Sequence, residues 1–455
     1  MKIESLINIA EESLRIIIKN KQIPDKYLNE LFRIKKFIGS NERKFIKELI
    51  FISLRNLLLI EYLVEKINKK FNLKLKNIIL TLILLKLKIL ENNSINKILK
   101  KNNFDYNIIF DLVKDSNSIN TFYDNVLEDV QKVLLTEYQI LINEKNYTIL
   151  YSISEWLINL IKQTSFAYIT LLKNSTYEAP TFIRINCSIS NTYEIEKYLQ
   201  ENQIDYEKSN LTNYSFKINS RVKLDNTKLF LNGAFEIQDE GSQLISYALA
   251  PKENSLILDA CAGAGGKTLH IADLTKNNSI IYASDIEFGR LKQISKRAQR
   301  CNFTNIYPKY IKNQDYNELK KMFDYKEFDY VLVDAPCSGL GTIRRDPTRK
   351  YKVTPEFIKK ISDKQYKILT QYSNFVKIGG ILVYATCSLL NEENQKIIEK
   401  FLNENNNFEP SNLIEAFNTY NIYIDDLKYD DFQLSIGFDK YSFDCFYMAR
   451  LKRIK

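Results

Sequence analysis

The sequence predicts an α/β protein whose largest domain contains a mostly parallel sheet with helices on both faces. From Gln238 onward, short apolar segments alternate with helical stretches, which is the pattern of strands joined by crossover helices. The first 100 residues contain only one glycine and one proline, which favours helices over a sheet there. The predicted strands of the main sheet are Ser255–Asp259, Ile280–Asp285, Tyr330–Asp334 and Ile381–Ala385.

Three domains follow from this change of character along the chain. Residues 1–140 are predicted to form an all-α domain, in which the apolar residues of Arg43–Lys66 recur as one helical stripe that Ser40 could cap. Residues 141–230 are predicted to form a small connecting α/β domain, and residues 231–455 the catalytic domain. Helix, strand and helix are predicted in the connecting domain at Ser154–Lys162, Phe182–Asn186 and Glu194–Gln203.

Positive charge is concentrated near the N-terminus. The chain has a formal net charge of +10, and its first 100 residues contain 21 Lys and Arg against 10 Asp and Glu. A basic segment attached to a nearly neutral body predicts a polyanionic partner, most simply nucleic acid. Drift of codon usage towards Lys, Ile and Asn would give the same charge without such a partner, so charge alone leaves both explanations open.

The sequence has no recognisable signal peptide or membrane span. Glu4, Glu11 and Glu12 interrupt the N-terminus, and the most apolar run, Ile78–Leu85, is far shorter than the roughly 20 residues of a span. Six cysteines in 455 residues do not form a disulfide framework, and no Cys/His spacing suggests a metal site. We expect a cytoplasmic protein without a metal ion or a membrane partner, and a monomer.

A glycine-rich loop follows the first strand of the main sheet, and a predicted helix begins after it at Thr268. Glycine permits tight turns and close approach of a ligand, and a helix N-terminus offers unpaired amides. The loop lacks Walker spacing, and alone it fits a dinucleotide, a phosphate or a nucleoside cofactor. Its candidate cofactor-binding residues are Cys261, Ala262, Gly263, Ala264, Gly265, Gly266 and Lys267.

Two acidic residues are candidates for binding the rest of an adenosine cofactor. Asp285 ends the second strand, where a carboxylate can accept both ribose hydroxyls. Asp315 lies near the expected end of a third strand, at the level of the adenine amino group. Each could instead be a helix N-cap or a turn residue, and this alternative is stronger for Asp315.

Two cysteines follow strands that end at the same edge of the predicted sheet, in Asp334–Gly339 and in Thr386–Ser388. Such a pair suits methylation of C5 of cytosine. A thiolate that adds at C6 makes C5 able to attack the methyl group of a sulfonium, and removal of the C5 proton lets the thiolate leave. Taken alone, either Cys337 or Cys387 would more often be a small buried hydrophobe, but the two strings together favour chemistry.

Two further residues would support this reaction. The nucleophile must be a thiolate, and a free cysteine has a pKa of about 8.5 that its surroundings must lower. Lys267 beside the strand ends, together with a bound sulfonium, could lower it. Asp334 is placed to contact N3 of the base and to stabilise the protonated ring.

These motifs resemble the Sun/Fmu/RsmB type of RNA 5-methylcytosine methyltransferases, from about Trp156 to the C-terminus. The resemblance implies a Rossmann-like domain, S-adenosylmethionine as cofactor, Cys387 as the nucleophile and Cys337 as the residue that assists product release. The segments Gln238–Gln243 and Phe446–Arg450 match the family's entry segment and last strand. The resemblance also implies a cofactor and substrate pocket lined by Cys261 to Lys267, Asp285, Asp315 and Asp334.

The N-terminal helices provide a second resemblance. Asn41–Ile46 and Leu54–Asn56 are similar to the NusB-like RNA-binding domain of bacterial 16S ribosomal RNA enzymes, which implies 16S ribosomal RNA as the partner. The chain departs from the catalytic family's pattern in two places. Ala264 stands where proline is usual, and Cys445 stands where glycine usually precedes the last strand's aromatic pair.

Other functions stay open at this stage. The same chemistry could act on transfer RNA or 23S ribosomal RNA, and a non-catalytic RNA-binding assembly factor could keep the same fold. DNA cytosine methylation is disfavoured, because those enzymes use the cysteine of the Pro-Cys string and need none at position 387. His270, the only histidine, is predicted to pack or lie on the helix surface, and Arg344-Arg345 could contact phosphates or form a solvated turn.

Overall fold

The computed structural model describes residues 3–71, 76–90, 123–220, 222–312, 315–425, 427–428 and 431–455. The chain divides into two compact units. The first comprises Met1–Lys162, Tyr168–Glu178 and Ile343–Lys352, and the second comprises Gln163–Ala167, Ala179–Thr342 and Val353–Lys455. The region predicted as a connecting domain, residues 141–230, is therefore divided between the two units.

The first unit is helical throughout its described part, as the scarcity of glycine and proline predicts. Apolar side chains such as Leu49, Ile60 and Leu80 are fully buried between its helices. Within the described ranges of the chain, no helix combines the length and the apolar character needed to cross a bilayer. The helices of this unit are Ile3–Lys19, Pro24–Ile34, Ser40–Arg55, Leu57–Phe71, Asn77–Lys86, Tyr123–Asn143, Tyr147–Tyr151, Glu155–Ile161, Tyr168–Asn174 and Arg349–Lys352.

The single helical stripe predicted for Arg43–Lys66 is wrong, because two helices meet at Asn56. Asn56 leaves the helical conformation (φ −121°, ψ 27°), and its side-chain amide donates to the carbonyl of Ile52 at 3.0 Å. An asparagine side chain competes with backbone bonds in this way, which periodicity alone does not reveal. Ser40 is the first helical residue, not the cap, and the N–H of Gly39 donates to Glu42 Oε2 at 2.6 Å.

The second unit begins with a small antiparallel sheet of four strands in the order β2-β3-β1-β4. The strand predicted at Phe182–Asn186 is β1, and the helix predicted at Glu194–Gln203 is Thr192–Glu201. The strands are β1 (Thr181–Ile185), β2 (Tyr206–Lys208), β3 (Ser215–Ile218) and β4 (Phe235–Ile237). The other helices before the main sheet are Lys228–Leu231 and Glu240–Leu249.

The main sheet has eight strands, with β10-β12-β9-β8-β5-β6-β7 in order and β11 paired to β12. Strands β5 to β9 are parallel to their neighbours among themselves, whereas β12 is antiparallel to β9. The four predicted strands correspond to β5, β6, β8 and β9. The strands are β5 (Leu256–Asp259), β6 (Ile280–Asp285), β7 (Ile306–Tyr310), β8 (Phe328–Asp334), β9 (Val376–Thr386), β10 (Phe408–Pro410), β11 (Gln433–Ile436) and β12 (Phe446–Arg453).

Helices cover both faces of this sheet, which confirms the predicted fold class. Consecutive residues of β5 point into different cores: Ile257 packs in one with Leu269, and Leu258 packs in the other with Leu369. A strand buried on both faces is expected of a parallel sheet. The helices of this region are Gly266–Leu274, Phe288–Arg300, Tyr316–Met322, Pro355–Ser373, Gln395–Glu404 and Leu413–Asn418.

The carboxyl ends of the parallel strands meet along one edge of the sheet. Asp259, Asp285, Asp334 and Thr386 are the last residues of β5, β6, β8 and β9. In open α/β sheets this edge is where ligands bind. The fold thus brings the glycine-rich loop, the acidic residues and both cysteine strings to one place.

Candidate active site

The loop between β5 and the helix Gly266–Leu274 depends on two glycines for different reasons. Gly263 and Gly265 have φ angles of +55° and +85°, which L side chains rarely adopt. A Cβ on Gly265 would lie 2.8 Å from Cγ1 of Ile294, so packing also requires a glycine there. A Cβ on Gly263 would meet nothing within 4 Å. Gly263 therefore faces open space in which a ligand can approach the backbone.

Side chains on two sides hold this loop in place. The N–H of Gly263 donates to Asp285 Oδ2 at 2.8 Å, which joins the loop to the end of β6. Arg297 donates to the carbonyl of Ala264 at 2.5 Å and to Glu236 Oε2 at 2.7 Å. The sequence reading missed Glu236 and Arg297, because their pairing joins β4 to a helix about 60 residues later.

Asp315 is the N-cap of a helix, which is the alternative that the sequence left open for it. Its Oδ1 accepts the backbone N–H groups of Asn317 at 2.9 Å and Glu318 at 3.3 Å, at the start of the helix Tyr316–Met322. A capping carboxylate can stabilise a helix by about 1 kcal/mol without any ligand. Its predicted contact with adenine stays a prediction.

Lys267 and Asp334 form an ion pair with 2.6 Å between Nζ and Oδ2. The ammonium group also lies 5.9 Å from the ring centre of Phe446. Burial alone would lower the pKa of Lys267. The charge and the hydrogen bond of Asp334, together with the charge of Cys387, act in the other direction, so the pKa of Lys267 is raised. Lys267 therefore stays positively charged beside Asp334, and this charge interacts electrostatically with Cys387.

Burial raises the pKa of two further groups at this edge, Asp259 and Cys261. Asp259 is fully buried and accepts a hydrogen bond from Thr268 Oγ1 at 2.6 Å. Burial raises the pKa of Asp259 to about 7. Burial, with the charges of Asp334 and Asp285, also raises the pKa of the Cys261 thiol. Cys261 thus remains protonated and fits a place in the loop wall better than a role as a nucleophile.

The thiols of Cys337 and Cys387 lie side by side, with 3.4 Å between their sulfur atoms. They are not joined by a disulfide bond, which would be about 2.05 Å long. Their strands are neighbours, and the N–H of Ala335 donates to the carbonyl of Ala385 at 2.8 Å. The hydrogen bond with Cys387, followed by burial, raises the pKa of Cys337 well above its ordinary value.

Gly341, in the loop that contains Cys337, connects this loop to Cys387 and Cys445 through its backbone. The N–H of Gly341 donates to the carbonyl of Cys387 at 2.9 Å, and its carbonyl accepts the N–H of Cys445 at 3.0 Å. A Cβ on Gly341 would lie 2.2 Å from the carbonyl oxygen of Cys445. Only glycine permits this close approach of three backbone segments.

The comparisons with known proteins agree with this geometry. Residues 246–452 match the family model described as 16S rRNA methyltransferase RsmB/F. Over this region, which makes up less than half of the chain, the protein is similar to the RsmB/F family of rRNA methyltransferases.

Two relatives show how far the similarity extends. A probable ribosomal RNA small subunit methyltransferase B of Bacillus subtilis (strain 168) is 29% identical over 421 residues, which cover 91% of this chain and 92% of that protein. A 28S rRNA (cytosine-C(5))-methyltransferase of Mus musculus is 37% identical over 205 residues, covering 44% of this chain and 25% of that protein. The chain is an RNA (cytosine-5) methyltransferase, and its cofactor is S-adenosylmethionine.

Solved structures share the fold. PH0851 has a TM-score of 0.71 and 21% identity, with 99% of both chains covered. NSun6 from Pyrococcus horikoshii, solved with SFG, has a TM-score of 0.58 and 18% identity, covering 66% of this chain and 98% of that one. The open space above Gly263, bounded by Asp285 and the loop backbone, fits the adenosyl cofactor of this family.

The departure at Cys445 is accommodated by a glycine elsewhere. Cys445 is fully buried, and a Cβ on Gly437 would lie 2.1 Å from its Sγ. The absent side chain at Gly437 therefore provides the space that the thiol of Cys445 occupies. The packing is complementary at these two positions.

His270 and Arg344, which the sequence singled out, are both buried. His270 is fully buried and lies edge-on to Tyr247, with 4.7 Å between ring centres. Burial lowers its pKa well below the ordinary value, so it packs as a neutral ring, in agreement with the packing prediction. In the first unit, Arg344 is buried and Arg345 is exposed, and Arg55 donates to the carbonyl of Arg344 at 2.9 Å.

The largest omission of the sequence reading is a buried polar group beside the cysteines, Glu393 and Asn394. Neither side chain has more than 1% exposure. In the sequence they belong to a polar turn, Asn391–Asn394, whose only signal is its closeness to Cys387. Within the part of the chain that the structure describes, three or more His, Cys, Asp or Glu side chains do not cluster as a metal site would require.

Proposed function

We propose that this enzyme methylates C5 of a cytosine in 16S ribosomal RNA through a covalent bond between Cys387 and C6 of the base. The observation that supports this most directly is the pair of thiols, 3.4 Å apart, at the ends of adjacent parallel strands. Two thiols are needed only if one forms the adduct and the other helps to resolve it.

Cys387 is the nucleophile in this proposal, and Lys267 activates it. A negative charge at Cys387 raises the pKa of Lys267. Because electrostatic interactions are mutual, the ammonium group of Lys267 in turn favours the thiolate form of Cys387. The thiolate adds to C6, and the electron pair of the C5–C6 double bond becomes available at C5. Asp334, held by Lys267, contacts N3 and stabilises the protonated ring.

Bound S-adenosylmethionine supplies the methyl group as an electrophile, which C5 attacks. The loop from Cys261 to Lys267, with Asp285 and Asp315, would hold it. The C5 proton then passes to a base, the C5–C6 double bond forms again, and the C6–S bond breaks, returning its electron pair to Cys387. Cys337 is assigned to assist this release because its sulfur is the neighbour of Cys387.

The coverage of the relatives favours 16S ribosomal RNA. The small-subunit enzyme of Bacillus subtilis aligns with 91% of this chain, which includes the helical region, whereas the 28S rRNA enzyme of Mus musculus aligns with 44%. The predicted NusB-like domain at residues 1–140, with its excess of positive charge, would contact the RNA. The target base must be unpaired or flipped out for addition at C6.

Bisulfite sequencing of total RNA with and without the gene tests substrate and chemistry together. We expect loss of one 5-methylcytosine in 16S ribosomal RNA, restored by the wild-type gene and not by one carrying Cys387→Ala. A lost mark in transfer RNA or 23S ribosomal RNA would overturn the substrate but keep the mechanism. No lost mark, with the protein expressed, would favour a non-catalytic assembly factor.

A further inference from the structure

The two cysteine loops share a buried carboxylate. Ser338 and Ser388, each directly after a cysteine, both donate their hydroxyl groups to Oε1 of Glu393, the former at 2.5 Å. The N–H of Ser338 donates to Oε2 of Glu393 at 2.7 Å, and Gln365 donates to the same oxygen at 3.1 Å. Four donors from three segments of the chain therefore converge on one carboxylate.

The neighbouring residue, Asn394, fixes the second cysteine loop. Its Oδ1 accepts the hydroxyl of Thr386 at 2.5 Å, and its Nδ2 donates to the carbonyl of Ser388 at 3.0 Å. The backbone carbonyl of Glu393 accepts the hydroxyl of Tyr384 at 2.7 Å. Cys387 is thus bracketed by hydrogen bonds on both sides.

This arrangement suits a carboxylate and no other side chain. A carboxylate only accepts hydrogen bonds and offers about four lone-pair sites, which matches the four converging donors. The NH2 group of a glutamine cannot accept hydrogen bonds, so it would face some of these donors and leave buried polar groups unpaired. A buried acid without such partners would be costly, so the surrounding donors and the charge depend on each other.

The group acts through the cysteines, not on the substrate. Glu393 and Ser388 have 0% exposure and Ser338 has 3%, so these side chains are not accessible to a bound base. Their hydroxyl oxygens lie 3.3 Å apart, and the sulfur atoms of the adjoining cysteines lie 3.4 Å apart. The distance between the two serine hydroxyl groups thus matches the distance between the two thiols.

We propose that Glu393 is a positioning residue that holds Cys337 and Cys387 at the separation needed for adduct formation and release. This inference rests on the roles proposed above for the two thiols. The negative charge of Glu393 has a second consequence. The pKa of Cys337 is raised first by the hydrogen bond with Cys387, then by burial and by the charge of Cys387, and the charge of Glu393 raises it further. Glu393 therefore adds to the effects that favour the protonated form of Cys337.

The test compares Glu393→Gln with Glu393→Asp and a matched control, Glu392→Gln. Glu392 is adjacent in the chain, but its side chain is 22% exposed and pairs with Lys396 at 2.8 Å. For Glu393→Gln we expect kcat to fall about 100-fold, the effect of misplacing a reacting group by about 1 Å. Affinity for S-adenosylmethionine, measured by calorimetry, should stay within about twofold, since the hydrogen-bond partners of Glu393 described above lie outside the cofactor loop. Glu393→Asp should retain more activity than Glu393→Gln, and Glu392→Gln should match the wild type.

A second readout distinguishes positioning from general loss of stability. In a Cys387→Ser background, iodoacetamide alkylation of Cys337 is followed against pH by mass spectrometry of its peptide. Removing the charge with Glu393→Gln should move the alkylation profile to lower pH, whereas Glu392→Gln should not move it. An unchanged profile together with unchanged kcat would overturn the inference.

Ser388→Ala serves if Glu393→Gln does not fold. It removes one donor to Glu393 and leaves the carboxylate in place. We expect kcat to fall about 10-fold with unchanged cofactor affinity, and wild-type kcat would overturn the inference. Failure of the proposed function looks different, because Cys387→Ala would then retain activity whatever the Glu393 variants do.

Discussion

The sulfur atoms of Cys337 and Cys387 lie 3.4 Å apart although the residues are 50 positions apart in the chain. The parallel pairing of β8 and β9 aligns Asp334 with Ala385, and this register places the two following loops side by side. Lys267, at the start of the helix that follows the glycine-rich loop, pairs with Asp334 at the end of β8. The proposed reaction therefore uses residues that follow three strands of one sheet.

Replacing each cysteine should separate two stages of the reaction. Cys387→Ala should reduce methyl transfer more than about 1000-fold, because no covalent bond to C6 can form. Cys337→Ala should form the bond and release product slowly, so that a covalent RNA–protein complex accumulates. Denaturing gel electrophoresis with labelled RNA would reveal this complex. Its absence in Cys337→Ala would contradict the release role, and its presence in Cys387→Ala would contradict the assignment of the nucleophile.

Removing the positive charge at Lys267 should make Cys387 less reactive. For Lys267→Gln we expect alkylation of Cys387 by iodoacetamide at pH 7 to slow about 10-fold, because the thiolate loses its neighbouring cation. Mass spectrometry of the Cys387 peptide gives the rate. Lys276→Gln is the control, since Lys276 is exposed and forms a surface ion pair with Glu253. Equal rates for both variants would show that Lys267 does not activate the thiol.

The glycines of the second unit should differ in their tolerance of alanine. Gly265→Ala should destabilise the protein by about 1–3 kcal/mol, because its Cβ would lie 2.8 Å from Ile294 at a φ of +85°. Gly289→Ala should stabilise by up to about 1 kcal/mol, because its Cβ meets nothing within 4 Å inside a helix. Thermal unfolding followed by circular dichroism at 222 nm measures both. A stable Gly265→Ala protein would mean that the loop can relax.

The stability of the helical unit should depend on pH through Lys350. Its ammonium group is buried and donates to the carbonyls of Arg55 at 3.2 Å and Tyr151 at 3.1 Å. Burial, followed by the charge of Arg55, lowers the pKa of Lys350 to about 7 from an ordinary 10.5. Between these values the unfolded chain binds a proton that the folded chain does not, so this group makes stability rise with pH from about 7 to 10.

Lys350→Met should remove this dependence. The slope of the unfolding free energy should fall by about 1.4 kcal/mol per pH unit over that range. Urea unfolding followed by Trp156 fluorescence reports the first unit, because the only tryptophan belongs to it. Exposed Lys26, changed to Met, is the control and should leave the slope unchanged. A slope that Lys350→Met does not alter would mean that Lys350 stays charged when folded.

Local sequence determined the fold class, the main strands and the site residues that follow them. Strand–loop–helix alternation needs only apolar runs and glycines at neighbouring positions, which is why β5, β6, β8 and β9 were predicted. The edge at which Asp285, Asp334 and Cys387 meet also follows, since parallel strands end on the same side of a sheet. The motif spacing was sufficient to indicate the RsmB/F family.

Tertiary structure decided what depends on contacts between distant segments. Asn56 ends a helix that periodicity continues, and Asp315 caps a helix, which is the alternative that the sequence left open beside a cofactor contact. Glu393 appears in the sequence as one acid of a polar turn, yet donors from Ser338, Gln365 and Ser388 converge on it. No local pattern encodes this convergence, because each hydrogen bond exists only after the sheet has brought the segments together.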